Sequence, residues 1–363
     1  MTKANNFDLI RLAAALQVAV THSIAFFLPD SRGSVLLYVA ELFPGVPVFF
    51  FVSGFLISAS YEKNSSLGDF ARNRALRIYP GLAVCFAVSL ALVWLSGYFT
   101  GQRVPTIQWL SWSLAQLSIG QFFNPDFMRH YGTGVLNGSM WTVTVELQFY
   151  VLIPLLYAVL RRRAGANRLL LALIFLFAVL NQAFVTGARH HSHELWFKLV
   201  GVSFIPWFYM FLVGVLCQRN ARRVGSWLAG RLPLVLLVYG LAAVPGNLLW
   251  GWNLGNLLSV PLFLALAALV FSAALTRPNL SDQLLRRNDI SYGVYIYHMP
   301  VANFLLATRF GATLSGFLLQ IVGTLACATV SWICVEKPAL ALKRHALYRH
   351  DEPIATRSGL VSS

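Results

Sequence analysis

His22 follows Arg11 by eleven residues within an otherwise apolar run, and that spacing carries chemical information. Ionisable side chains inside a lipid-spanning helix are expensive, so each marks a functional site by default. At 100° per residue the two fall about 20° apart on one helical face with roughly 16 Å of rise between them, and Asp8 lies within about 40° of the same line. An imidazole titrates near neutrality and serves as a general base. A guanidinium offers a planar fork of donors to an oxyanion. A long, thin substrate can therefore touch both. The structural alternative pairs Asp8 with Arg11 at the membrane interface and leaves His22 hydrogen-bonded within a bundle.

Three further stretches carry groups of this kind. Arg72, Arg74 and Arg77 precede Ile78-Tyr79-Pro80, a cationic cluster suited to phosphate, with topogenic charge or anionic-lipid contact as the competing explanation. Glu146 sits within GSMWTVTVELQFY at 138–150, about five residues from the end of its run. His22 is about six from the matching end of its own, so the two are expected at one depth, where a carboxylate can orient an imidazole. His298 lies ahead of Pro300 in SYGVYIYHMP at 291–300; it is either a second catalytic histidine or a packing group at a proline kink. Arg189-His190-His191-Ser192-His193 lacks partner ligands and reads as an external loop, so no metal site is expected. Nucleophile-elbow, phosphate-loop, zinc-protease and dinucleotide motifs have no match in the sequence.

These side chains must be held by membrane-spanning elements. Hydrophobic residues make up 57% of the 363 and charged residues only 11%, more apolar side chain than a soluble core can hide. Ten apolar runs, at about 8–28, 41–60, 78–98, 141–160, 168–186, 199–217, 232–250, 256–275, 290–308 and 314–335, predict an all-α polytopic membrane protein. The first is not a cleaved signal, because Asp8 and Arg11 interrupt its start. The longest connection, 99–140, is rich in Trp, Phe and Gly and is expected to lie amphipathically or re-entrantly at the interface. The formal charge of +15 does not form one patch and so does not point to nucleic acid. Of the 28 Lys and Arg, 21 fall in alternate connections, among them Lys63, Arg161, Arg219, Arg286 and Lys343. The positive-inside rule then puts both termini in the cytoplasm. Cys85, Cys217, Cys327 and Cys334 read as small apolar packing residues. Residues 1–346 are expected to form the membrane domain and 347–363 a disordered cytoplasmic tail.

Taken together, FDLIRLAAALQVAVTH at 7–22, GVPVFFFVSGFLI at 45–57, RNRALRIYP at 72–80, GSMWTVTVELQFY, FLVG at 211–214, SYGVYIYHMP and SWICVEKP at 331–338 resemble the acyltransferase-3 family of membrane proteins. The resemblance implies a ten-helix enzyme that takes acetyl, or another short acyl group, from acyl-coenzyme A to hydroxyls of surface glycans, lipids or secreted metabolites. It points to His22 as the essential histidine, to Arg11 as the arginine of the first helix and to Arg74 and Arg77 as an RxxR pair. It also implies a stand-alone form without the periplasmic hydrolase-like domain of some relatives, which leaves room for a separate periplasmic partner. The expectation is a bacterial inner-membrane O-acetyltransferase with acetyl-coenzyme A as donor and a lipid-linked or polymeric carbohydrate as acceptor. His22 is its base or, alternatively, a transient acyl carrier, and Glu146 the orienting partner; Arg11, Arg72, Arg74 and Arg77 meet the donor phosphates. The rival is a transporter or flippase using the same buried groups as a translocation path, against which the lack of an inverted repeat counts.

Overall fold

The computed structural model describes residues 5–31, 33–161, 165–308 and 310–349. Among them there are helices and no strand. The main elements are α1 (Phe7–Phe27), α2 (Gly45–Lys63), α3 (Leu67–Leu95), α4 (Trp141–Leu160), α5 (Ala166–His191), α6 (Phe208–Arg219), α7 (Leu232–Trp250), α8 (Val260–Leu275), α9 (Ser291–Ala307), α10 (Leu314–Ser331) and α11 (Lys337–Arg349). A π-helical turn, Trp332–Glu336, joins the last two.

Each of the ten expected spans overlaps one of these helices, the one at 199–217 only in its second half, and among the described residues seven are long and apolar enough to cross a bilayer. The chain is a polytopic membrane protein. The other three expected spans, α6, α8 and α9, are shorter, with 12, 16 and 17 residues. At 1.5 Å per residue, 12 residues cover only about 18 Å. The shortness is tolerable because these helices lie inside the bundle, where neighbouring protein satisfies the irregular backbone at their ends. Phe208 through Val215 of α6 are all buried, and α9 is buried along nearly its whole length.

Close approach of backbones sets the bundle's centre. α2 crosses α6 where Gly54 faces Gly214. A Cβ on Gly54 would sit 2.0 Å from the Phe211 carbonyl oxygen, and one on Gly214 would sit 2.2 Å from that of Phe51. Lipid offers no hydrophobic drive between helices, so small residues that permit backbone contact hold them instead.

The first helix is tied to late parts of the chain. The Asn6 amide donates to the carbonyls of Ala273, Thr276 and Arg277, and its oxygen accepts from the Ser281 amide. α1 then packs along α9, α2 and α10.

The 99–140 connection is a small structured cap. It contains a helix, Thr106–Gln116, and a core of its own in which Trp112, Met128, Tyr131 and Leu136 pack with Val93. Asn303 of α9 anchors it, accepting from Thr133 and donating to the carbonyls of Val135 and Leu136. At the other end of the chain, α11 continues the helical path to Arg349, past the predicted start of a tail at 347; residues 350–363 lie outside the described residues.

Candidate active site

Pro300 has no N–H, so the carbonyl four residues earlier in α9, that of Ile296, is left without its helical donor. The Asn137 amide fills the gap at 2.8 Å, and the Cys85 thiol reaches the same oxygen at 3.3 Å. Asn137 caps the short turn Gly138–Met140 that leads into α4. The proline kink thus docks that turn against α9 and sets Ser139 beside His298.

At this level His298 Nε2 lies 2.9 Å from Ser139 Oγ and 2.9 Å from His22 Nδ1. The two imidazoles stack with centroids 5.2 Å apart. His298 is fully buried, and its Nδ1 lies 2.7 Å from the Tyr295 carbonyl oxygen. A carbonyl only accepts, so His298 carries its proton on Nδ1 and presents a lone pair at Nε2. His22 must then donate from Nδ1, since two facing lone pairs would repel. Its remaining nitrogen, Nε2, is left as an unprotonated base.

The depth estimate from sequence matched His22 with Glu146, and the structure corrects the partner. Glu146 accepts from Ser53 at 3.0 Å and from Tyr150 at 2.7 Å, whereas His22 is bonded to His298. Equal depth says nothing about which way two helices are rotated. Glu146 instead lines a small cavity of about 50 Å³ with Arg11, Ser53, Thr142, Tyr292 and Tyr295.

At the arginine end, Arg11 and Arg77 share one oxygen of Asp289, with Arg11 at 2.7 Å. Glu336 lies 3.9 Å from Arg77. Burial pushes the Asp289 carboxyl up, but the two guanidiniums and the hydrogen bonds from Ser291 outweigh it and hold it well below the usual carboxylate range. Arg11 therefore does not pair with Asp8 as the structural alternative required; its partner is 278 residues away. Arg74 packs against the rings of Phe70 and Tyr150, and its Nε is buried with no hydrogen-bond partner among the described residues. Arg72 is exposed and reaches the Leu342 carbonyl of α11 at 3.4 Å. Lys343, one residue on, lies within electrostatic reach of Arg74, Arg77 and Arg11.

Asp289, Glu336, Ser139 and Lys343 were not singled out from sequence. Asp289 had one local signal, its position two residues before Ser291 at the start of a helix, where a carboxylate accepts free amides. The histidine-rich tract is corrected too: α5 runs through His191, so Arg189, His190 and His191 form its last turn, and His191 pairs with Glu194 at 2.7 Å. Among the described residues no three His, Cys, Asp or Glu converge as a metal site.

Residues 5–336 match the family described as an acyltransferase domain, which is nearly the whole described chain. Nodulation protein 10 of Rhizobium leguminosarum bv. viciae is 34% identical over 365 residues, covering 95% of each chain. The chain belongs to the acyltransferase-3 family. The O-acetyl transferase of Shigella phage Sf6 is 27% identical, covering 93% of this chain and 96% of that one. Acyltransferase MdmB of Streptomyces mycarofaciens is 26% identical, over 81% and 78%. No solved structure matches. As a member of the acyltransferase-3 family the protein is an acyltransferase, and the histidine pair and the arginine cluster are two places where helices distant in sequence bring ionisable groups together.

Proposed function

We propose that the protein is an O-acetyltransferase of the bacterial inner membrane, with both termini cytoplasmic, that uses acetyl-coenzyme A and modifies a hydroxyl of a cell-envelope carbohydrate. The observation that carries this reading is the hydrogen-bond chain from the Tyr295 carbonyl through His298 to His22, which leaves His22 Nε2 as a base. A thioester donor supplies an activated carbonyl and a thiol leaving group. His22 Nε2 takes the proton of the acceptor hydroxyl as its oxygen bonds to that carbonyl carbon. The carbon–sulfur bond breaks, and the proton passes from His22 to the departing sulfur, so atoms and charge balance. His298 holds the tautomer and stabilises the positive charge that develops on His22 by accepting from its Nδ1.

The arginine end suits the donor's phosphates. Arg11, Arg72, Arg74, Arg77 and Lys343 gather there, and the unpartnered Arg74 Nε is a buried donor that an anion would satisfy. The 50 Å³ cavity beside Glu146 and Ser53 is lined by Arg11 and by Tyr295, the ring neighbour of His298, so an extended donor arm would start along it toward His22. A buried bundle around that path excludes water from the thioester. The relative named O-acetyl transferase supports acetyl as the group moved.

The test has two arms. Purified protein is assayed for binding and turnover of labelled acetyl-coenzyme A without any ion gradient. Envelope polysaccharide, lipids and secreted metabolites from cells with and without the gene are compared by mass spectrometry. Loss of an acetyl mass from an envelope glycan is expected; absence of both coenzyme A binding and any acyl difference refutes the reading and favours a transporter.

A further inference from the structure

A second cavity, of about 310 Å³, is walled by the 99–140 cap, the start of α4 and the segment from Lys198 to Val202, in the size range of small-molecule sites. Asn137 and Gly138 form part of its wall, and the next residue along the chain, Ser139, is hydrogen-bonded to His298, so the cavity adjoins the turn that meets the histidine pair. Phe122, Phe123 and Trp141 also line it, the two phenylalanines being about half exposed, as the walls of a site for a ring with apolar faces and polar edges are. The polar wall is fixed: Asn137 is bonded to α9 and the Gln116 amide to the Phe123 carbonyl at 2.9 Å. Lys198 is the one charged residue of the lining, and its ammonium makes no ion pair among the described residues. The nearest acid in sequence, Glu194, is engaged by His191 and Trp196.

We infer that this cavity is the acceptor subsite and that Lys198 makes it select saccharides bearing a carboxylate or phosphate. The inference rests on the acyl-transfer reading above and adds the acceptor's charge class. A lone cation at the mouth of an otherwise neutral cavity attracts an anion, and one charge-assisted hydrogen bond fixes which edge of the sugar faces Ser139 and His22.

Methyl glucuronide and methyl glucoside serve as matched acidic and neutral probes, with binding to the purified full-length protein measured by titration calorimetry. Wild type should bind the glucuronide about tenfold more tightly, the worth of one charge-assisted hydrogen bond. Lys198→Glu should abolish or reverse that preference, and Lys198→Arg should keep it. Equal affinity of wild type for the two sugars, no binding of either, or an undiminished preference in Lys198→Glu overturns the inference. Coenzyme A binding on the same samples keeps the two readings apart. Coenzyme A bound without a sugar preference removes the subsite alone, whereas sugar selectivity without coenzyme A binding removes the donor reading and leaves the saccharide site.

Discussion

His22 Nδ1 and His298 Nε2 lie 2.9 Å apart, on helices whose contact joins residues 276 positions distant in the chain. His298 has its other nitrogen on a backbone carbonyl, so the pair has a direction: protons point from α1 toward α9, and the free lone pair is on His22.

That direction separates two substitutions. His22→Ala should lower single-turnover acyl transfer by about 10²–10⁴-fold, the usual loss of a general base, while coenzyme A affinity stays near that of wild type. His298→Ala should also slow transfer, and His298→Gln should recover part of the loss, because a glutamine oxygen can accept from His22 Nδ1. Full activity in His22→Ala, or no difference between the two His298 variants, contradicts the assigned roles.

The shared carboxylate makes a pH signature. Asp289 is depressed below its ordinary value of 3.8, so the folded state binds the proton less readily than the unfolded chain does. Its stabilising contribution is fully present above that value and is lost as pH falls below it toward the depressed value. Asp289→Asn should remove this acid-side decline, so wild-type and variant melting temperatures should converge as pH falls from about 6 to about 3. Parallel melting curves over that range would show that Asp289 contributes no linkage.

Arg77→Ala should cost more than an exposed cation does. It leaves Asp289 with one guanidinium and Glu336 with no ion-pair partner within 4 Å among the described residues, and breaking a buried pair costs about 3–5 kcal/mol. Arg231→Ala, at an exposed helix start, should change stability by less than about 0.5 kcal/mol. In detergent-solubilised protein, Arg77→Ala should lower both the melting temperature and coenzyme A affinity; equal behaviour of the two variants would return the arginine cluster to a topogenic role.

Gly54→Ala should be among the most damaging of conservative changes. Its methyl would enter the Phe211 carbonyl, and overpacking costs about 1–3 kcal/mol or more. Gly240→Ala meets no atom within 4 Å and replaces glycine in the middle of α7, so it should stabilise by about 0.5–1 kcal/mol. Thermal unfolding of the two variants, measured side by side, should show opposite signs.

The proposed orientation rests on the distribution of basic residues. In a background with the native cysteines replaced, a cysteine at Arg161 should react only with permeant thiol reagents and one at His193 with impermeant reagents also. The reverse pattern would invert the proposed sidedness of donor and acceptor.

Much of the helix content was legible because apolar length is a property of a single segment. The shortness of α6 and α9 was not, since their apolar runs continue into irregular backbone that only neighbouring helices make tolerable. Within the site, Arg11 and His22 could be placed on one face from their spacing in a single helix. Pairing across helices is different in kind. Glu146 was matched to His22 by depth, but which helices touch, and at what rotation, is decided by contacts such as Gly54 on Gly214 and Asn137 on Ile296. Asp289 escaped notice for the same reason: it stands just outside an apolar run, where acids are common, and only the fold carries Arg11 and Arg77 to it.

The span between Arg11 and Asp289 also sets a timetable. Synthesis proceeds at about 5–20 residues per second, so the 278 residues added from Arg11 to reach Asp289 take on the order of tens of seconds to make. Throughout that interval α1 is in the bilayer with a guanidinium and an imidazole whose partners do not yet exist. Arg11 is only four residues from the start of its helix, close enough to reach the headgroups while it waits. His22 has no such refuge, and it acquires its partner only when α9 arrives, so a ribosome-bound chain short of that point lacks the histidine pair on which the proposed transfer depends.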